Sequence, residues 1–220
     1  MKFNYKDIWN IENAFHFYSN PSRIRKIICH YEIFKKSEKI PGSIVECGVF
    51  KGNSFFRFLI FRDLIFNQKK IKKHIYGFDV FGRFPNQKNK KDNKFALDHN
   101  KRIGLGLNYN KILNNLKKKK FKNFTLIQGK IEDTAKTFLK KKKNFKISFL
   151  HLDLDVYQPT MSALENFYDK ISSGGIILID DYGQVEGATS ATNKFLKIRS
   201  IKSKIKTLKF DKRLIFIEKK

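Results

Sequence analysis

The sequence predicts an α/β fold: a mostly parallel seven-stranded sheet with helices on both faces and a C-terminal antiparallel hairpin. Three observations predict it. Short β-branched or apolar runs alternate with longer helical stretches along most of the 220 residues. One of those runs, Ile147–Leu152, is apolar almost without a break, as in a strand covered on both faces. The last two runs, Ile205–Phe210 and Arg213–Glu218, have only Asp211-Lys212 between them, which fits a hairpin.

In order, residues 1–40 read as a helical, amphipathic extension, stopped by Pro41-Gly42. Ser43–Cys47 is a short strand that enters a glycine-containing turn and then a helix from Phe55 to about Phe66. His74–Asp79 is a second strand, set off by a lysine-rich turn around Lys69–Lys73. Residues 83–110, rich in Lys and Asn, read as a lid or insert with short helical pieces. A helix near Tyr109–Lys119, a strand Phe124–Gln128 and a helix from about Glu132 to Lys140 precede Ile147–Leu152. Pro159 suits the first turn of a helix running to Ile171, and Ser173-Gly174-Gly175 separates that helix from a strand Ile176–Ile179. A helix over about Ala188–Ile198 leads to the hairpin. Neither a repeat nor a linker divides the chain, so a single domain over 1–220 is expected.

Composition narrows the classes. Hydrophobic residues at 41% and 23 Phe fit a packed core rather than disorder. No apolar run has the length of a membrane span. Cys29 and Cys47 sit in apolar surroundings without metal-ligand spacing and read as buried thiols of a cytoplasmic protein. The net charge of +27 raises a nucleic-acid-binding protein as a reading from another class. Yet the excess is nearly all lysine spread along the chain beside Asn, Ile and Phe, a composition bias rather than an arginine-rich phosphate surface. Whether the chain forms a homo-oligomer stays open.

The chemistry gathers where strands end. Glu46, Gly48 and Gly52 frame the first strand–helix turn, with Asn53 and Ser54 opening the helix. Glycines there let backbone approach a ligand, and ligands of doubly wound sheets bind outside the strands' carboxyl ends. Asp79 ends the second strand, where an acid can accept hydrogen bonds from both ribose hydroxyls of an adenosyl group, and Gly129 and Lys130 follow the third. Asp153 and Asp155, two apart, face the same side if the segment is extended, and Asp180-Asp181 end the next strand. So many carboxylates at one sheet edge repel unless a hard cation such as Mg²⁺ gathers them. The alternative for each acid is a helix cap or a lysine partner. His151 lies on the same strand, either toward an acceptor or packed in the core.

With these residues in hand, the chain resembles the macrocin O-methyltransferase family. The resemblance runs through Pro41-Gly42 and IVECGVFKGNS, YGFDVFGRFP, QGKIEDT, LHLDLDVYQPTMSALENFY and SSGGIILIDDYG, from about residue 41 to 196. It implies the Rossmann-like class I methyltransferase fold, S-adenosylmethionine as cofactor, and a divalent metal such as Mg²⁺. The acceptor it implies is a hydroxyl of a sugar in a small molecule or glycan, with a catechol-like phenol as the alternative. By the same resemblance Asp153, Asp180 and Asp181 match the metal positions, Asp155 the general base, and Glu46, Gly48, Gly52 and Asp79 cofactor positions. Leu154 stands where the family has a small residue, and FDVFGRFP where it has FDxFEGLP.

Overall fold

A computed structural model describes residues 7–66, 73–201 and 205–220. Most of the lysine-rich turn expected around Lys69–Lys73 lies outside them. Two helices, α1 (Ile8–Tyr18) and α2 (Ser22–Lys36), precede the sheet. Then follow β1 (Ser43–Cys47), α3 (Asn53–Ile65), β2 (Ile75–Asp79), α4 (Lys90–Arg102), α5 (Tyr109–Lys118), β3 (Phe124–Gln128), α6 (Ile131–Lys141) and β4 (Ile147–Leu152). The chain ends with α7 (Tyr157–Phe167), a 3₁₀ turn, β5 (Ile171–Ile179), α8 (Glu186–Ile198), β6 (Lys206–Thr207) and β7 (Ile215–Glu218).

The seven strands form one sheet in the order β3-β2-β1-β4-β5-β7-β6. β1 to β5 are parallel, and β7 runs antiparallel to both β5 and β6. This is the expected fold. Side-chain alternation along each strand splits the core into two layers. Val45, Cys47, Leu150, Leu152, Ile177 and Ile179 pack on one face against α6, α7 and α8. Ile44, Phe149, Ile176 and Leu178 pack on the other against α2, α3 and α5. α3 buries Phe55, Phe58, Leu59 and Phe61, each side chain worth roughly 1.5–3 kcal/mol of transfer free energy. α1 buries no residue, and Trp9, Phe17 and Tyr18 on it are exposed.

Three expectations are corrected. The insert carries α4, a regular helix of 13 residues, in place of short pieces. The Ser173-Gly174-Gly175 stretch does not end a unit: it lies inside β5, whose pairing jumps from Ile147↔Ile171 to Phe149↔Ile176. The extra residues form a bulge, with Gly174 at φ +74°. The late hairpin has shorter strands and a longer connection than read from the sequence, because Leu208 and Leu214 turn into the core.

Candidate active site

The parallel strands β1 to β5 all point their carboxyl ends at a cavity of about 1000 Å³. Gly48, Asp79, Gly129, Asp153 and Asp181, one from the end of each of these strands, line it. The order of the strands reverses between β1 and β4, so the cavity lies at the topological switch point. The insert closes the far wall with Phe84, Asp92, Phe95 and His99, and Arg23 of α2 lines the rim.

On the β1–β2 side the backbone is held tightly. Gly48 has φ +95°, and a Cβ there would lie 1.8 Å from the Asp153 carbonyl oxygen. Glycine is therefore demanded by the approach of the β4 exit as well as by the left-handed turn. Asp79 Oδ2 accepts hydrogen bonds from the Val49 and Phe50 amides at 2.7 and 2.8 Å, and Oδ1 accepts from Phe81 N at 2.6 Å. A carboxylate offers about four acceptor positions, so roughly one remains, on Oδ1. That is room for one ribose hydroxyl rather than the two expected from the sequence. Gly129, whose N–H donates to the Asp79 carbonyl, and exposed Lys130 follow β3 on the cavity wall. Glu46, Gly52, Asn53 and Ser54 do not line the cavity; Glu46 is buried and Asn53 faces solvent.

On the β4–β5 side, Asp153, Asp155 and Asp181 each offer an oxygen within 4.8 Å of the others. The convergence has a different cause from the extended segment expected. β4 ends at Leu152, and Asp155 sits at φ +61° in a three-residue turn closed by Val156 N donating to Leu154 O at 2.6 Å. Such a left-handed γ-turn is strained and rare. The Ala188 amide at the start of α8 donates to the Asp155 carbonyl, and Asp181 is itself left-handed at φ +54°. Burial first, then the neighbouring carboxylates, pushes the Asp155 carboxyl up to about 7. Burial and the Asp180 charge likewise raise Asp153 and Asp181. Asp153 keeps 27% of its side chain exposed and lines the cavity.

Asp180 does not join this trio. Its side chain is 1% exposed and turns beneath the cavity floor, toward a buried polar group. Lys26 Nζ of α2 lies 2.6 Å from Asp180 Oδ2 and 4.0 Å from Asp153 Oδ2. His151 Nε2 and His30 Nε2 face Asp180 at 3.4 and 4.0 Å, and His151 Nδ1 meets Glu46 Oε1 at 3.0 Å. None of these contacts gives either Asp180 oxygen a well-formed hydrogen bond. Burial alone would raise Asp180, but His151, His30 and Lys26 outweigh it and hold the group well below the usual range. The two histidines divide. Burial lowers His151, yet Asp180 and Glu46 overcome it and lift the ring to about 9, while burial takes His30 down to about 3. His151 is 0% exposed and does not line the cavity, so it reaches no acceptor there.

The sequence reading missed Lys26, His30, Arg23, Asp92 and the lid aromatics. Arg23, Lys26 and His30 are spaced i, i+3, i+7, one face of a helix, which was a readable pattern had the destination of α2 been known. Asp92 accepts from Tyr157 N at 3.0 Å and so ties α4 to the start of α7. Phe84, Phe95 and Phe50 gather around His99. Asp92 lies in a run of Lys and Asn with no strand end beside it, and nothing local marked it.

Known proteins place the chain. Residues 23–219 match the macrocin-O-methyltransferase (TylF) family. A demethyldecarbamoylnovobiocin O-methyltransferase of Streptomyces niveus is 24% identical over 162 residues, 71% of this chain and 58% of that protein. An 8-demethyl-8-(2,3-dimethoxy-alpha-L-rhamnosyl)-tetracenomycin-C 4'-O-methyltransferase of Streptomyces olivaceus is 24% identical over 153 residues, 66% and 55% of the two chains. The chain thus spans little more than half the length of these curated relatives. Among solved structures, the O-methyltransferase NovP superposes with a TM-score of 0.72 at 19% identity, covering 89% of this chain and 80% of its own. The calicheamicin methyltransferase CalS11 gives 0.73 at 18% identity, covering 96% and 84%. No helix among the described residues is long and apolar enough to cross a membrane. With a family match over nearly its whole length on a class I methyltransferase fold, the chain belongs to the macrocin O-methyltransferase family.

Proposed function

We propose that this chain is an S-adenosylmethionine-dependent and divalent-metal-dependent O-methyltransferase acting on a hydroxyl of a sugar carried by a glycosylated metabolite, nucleotide sugar or glycan. The observation that carries the reading is the convergence of Asp153, Asp155 and Asp181 on the cavity whose opposite wall is Gly48, Asp79 and Gly129. The family and the relative named for a rhamnosyl-tetracenomycin support the acceptor class. Cavity-lining amides, Asn86, Gln87, Gln158 and Gln184, beside Phe84, Phe95 and Tyr157, suit a polyol with one apolar face. Free thiols at Cys29 and Cys47 suit a cytoplasmic setting.

The residues fit a hard cation. Asp153, Asp155 and Asp181 converge with carboxylate oxygens only and raise one another's affinity for a proton, and beneath them both buried oxygens of Asp180 lack a hydrogen bond. Asp153 and Asp181 would hold the ion from the cavity and buried Asp180 would support it from beneath Asp153; the ion when bound lowers the pKa of the acceptor hydroxyl. S-adenosylmethionine when bound supplies an electrophilic methyl group; Asp79 and the Gly48 and Gly129 turns would form the wall that holds it. Asp155 takes the hydroxyl proton. In the metal-free chain burial and the neighbouring carboxylates raise its carboxyl above the usual range, which makes it a stronger base than an ordinary carboxylate, whereas Asp180 is held well below that range. The strained turn and the Ala188 contact keep Asp155 aimed at the cavity. Glu46 and His151 orient Asp180 from below. The lid, α4 with Phe84 and Phe95, excludes water.

The test is methyl transfer from labelled cofactor to a panel of nucleotide sugars, glycans and catechols, with Mg²⁺ and after chelation. Asp153→Asn and Asp181→Asn should abolish transfer while cofactor binding persists. Full activity of either variant in chelated protein would refute the metal. Asp155→Asn should lose turnover and retain the metal.

A further inference from the structure

Lys26 occupies an unusual place. It stands on α2, outside every motif that carried the family resemblance, and its ammonium touches oxygens of both Asp180 and Asp153, at 2.6 and 4.0 Å. These are two of the three acids placed above at or beneath the divalent ion. Asp180 is almost fully buried and has no hydrogen bond to either oxygen, so this ammonium is its nearest charge. The lysine itself keeps 24% of its side chain exposed, and its stem is four flexible carbons long. Arg23, one turn earlier on the same face, lines the cavity, so an outward swing of Lys26 would follow that helix face toward it.

We propose that Lys26 is a resident counter-cation that competes with the divalent ion for the Asp153–Asp180 pair. This rests on the metal reading above and adds a chain-specific residue to it. A buried carboxylate without a cation is costly, so the ammonium keeps the two acids together when no ion is present. A divalent ion drawn to the same pair would sit within a few ångströms of that ammonium, and like charges at that separation repel strongly in a partly buried site. The ion therefore enters only as Lys26 swings out toward the rim. The site thus has two occupants, one carried by the chain and one taken from solution, and Lys26 sets the concentration at which the second displaces the first.

Two measurements on chelator-treated protein test this. In calorimetric titration with Mg²⁺, Lys26→Met should bind about tenfold more tightly or better, the scale on which neighbouring groups alter metal affinity. In wild type, mass spectrometry after amine acylation should show Lys26 more reactive at saturating Mg²⁺ than in its absence. Unchanged or weaker Mg²⁺ binding by Lys26→Met overturns the proposal, because Lys26 would then be neutral toward the ion or support it. If that variant does not fold, the labelling decides, and unchanged reactivity overturns the proposal. Absence of Mg²⁺ binding in both proteins overturns the metal reading itself. Binding in wild type with no gain in Lys26→Met overturns only the role of Lys26.

Discussion

Asp155 shows how much a single residue's surroundings decide. Its carboxyl is held near 7, above the ordinary carboxylate range, chiefly by burial and then by Asp181 and Asp180. A folded-state pKa above the unfolded one means that the folded chain binds more protons between the two values. Stability from this group is therefore present at low pH and lost as pH rises from about 4 to about 7. In metal-free protein, wild type should lose melting temperature from pH 5 to pH 8 relative to Asp155→Asn. Parallel melting profiles would show that Asp155 is not the titrating group. Arg62 is a second such case, structural rather than chemical. It is 2% exposed and donates to the carbonyls of Lys122 and Asn123 and to Asp63, pinning the loop before β3. Arg62→Met should cost about 3 kcal/mol in denaturant unfolding, since it removes charge-assisted hydrogen bonds to two carbonyls and a carboxylate. A loss under about 0.5 kcal/mol, the range of ordinary surface changes, would contradict that.

Among the elements, α4 was the least legible and has the most specific anchoring. Its sequence, KKDNKFALDHNKR, has no apolar stripe at helical spacing, so periodicity could not reveal it. What starts it is Asn89, whose side chain accepts from Lys91 N and Asp92 N. What docks it is Lys91 against Glu186, and Asp92 in the gap between α7 and α8. That gap exists because position 187 is glycine: a Cβ there would lie 2.7 Å from Tyr157 N and 2.8 Å from Asp92 Oδ1. Gly187→Ala should destabilise the fold by about 1–3 kcal/mol and raise hydrogen exchange in α4 more than in the sheet. Uniform exchange across both would remove the coupling. The parallel strands, by contrast, were legible because each carries a compact apolar run with punctuation beside it. The bulge in β5 was not, since Gly174-Gly175 looks the same whether a strand stops or is interrupted. The acidic residues were readable as a set. Their division into a cavity trio and a buried Asp180 was not, because it depends on Lys26 and His30, more than a hundred residues earlier, and on the turn at Asp155.

At the scale of the whole molecule, the formal charge of +27 is a standing repulsion spread over the surface. Screening relieves it, so melting temperature should rise as NaCl goes from low to physiological concentration, with no change of fold by circular dichroism. A flat or falling trend would mean that attractive pairs such as Lys206–Glu218 and Lys91–Glu186 outweigh the repulsion. The anchoring of Asp79 to three backbone amides has a consequence of its own. The loop proposed to face the cofactor is already tied to the sheet by the fold itself, and folding has absorbed its ordering entropy. Cofactor capture on that side is then a docking onto a finished surface, and its heat-capacity change should match the area of the ligand alone, with nothing added for a segment that folds upon it.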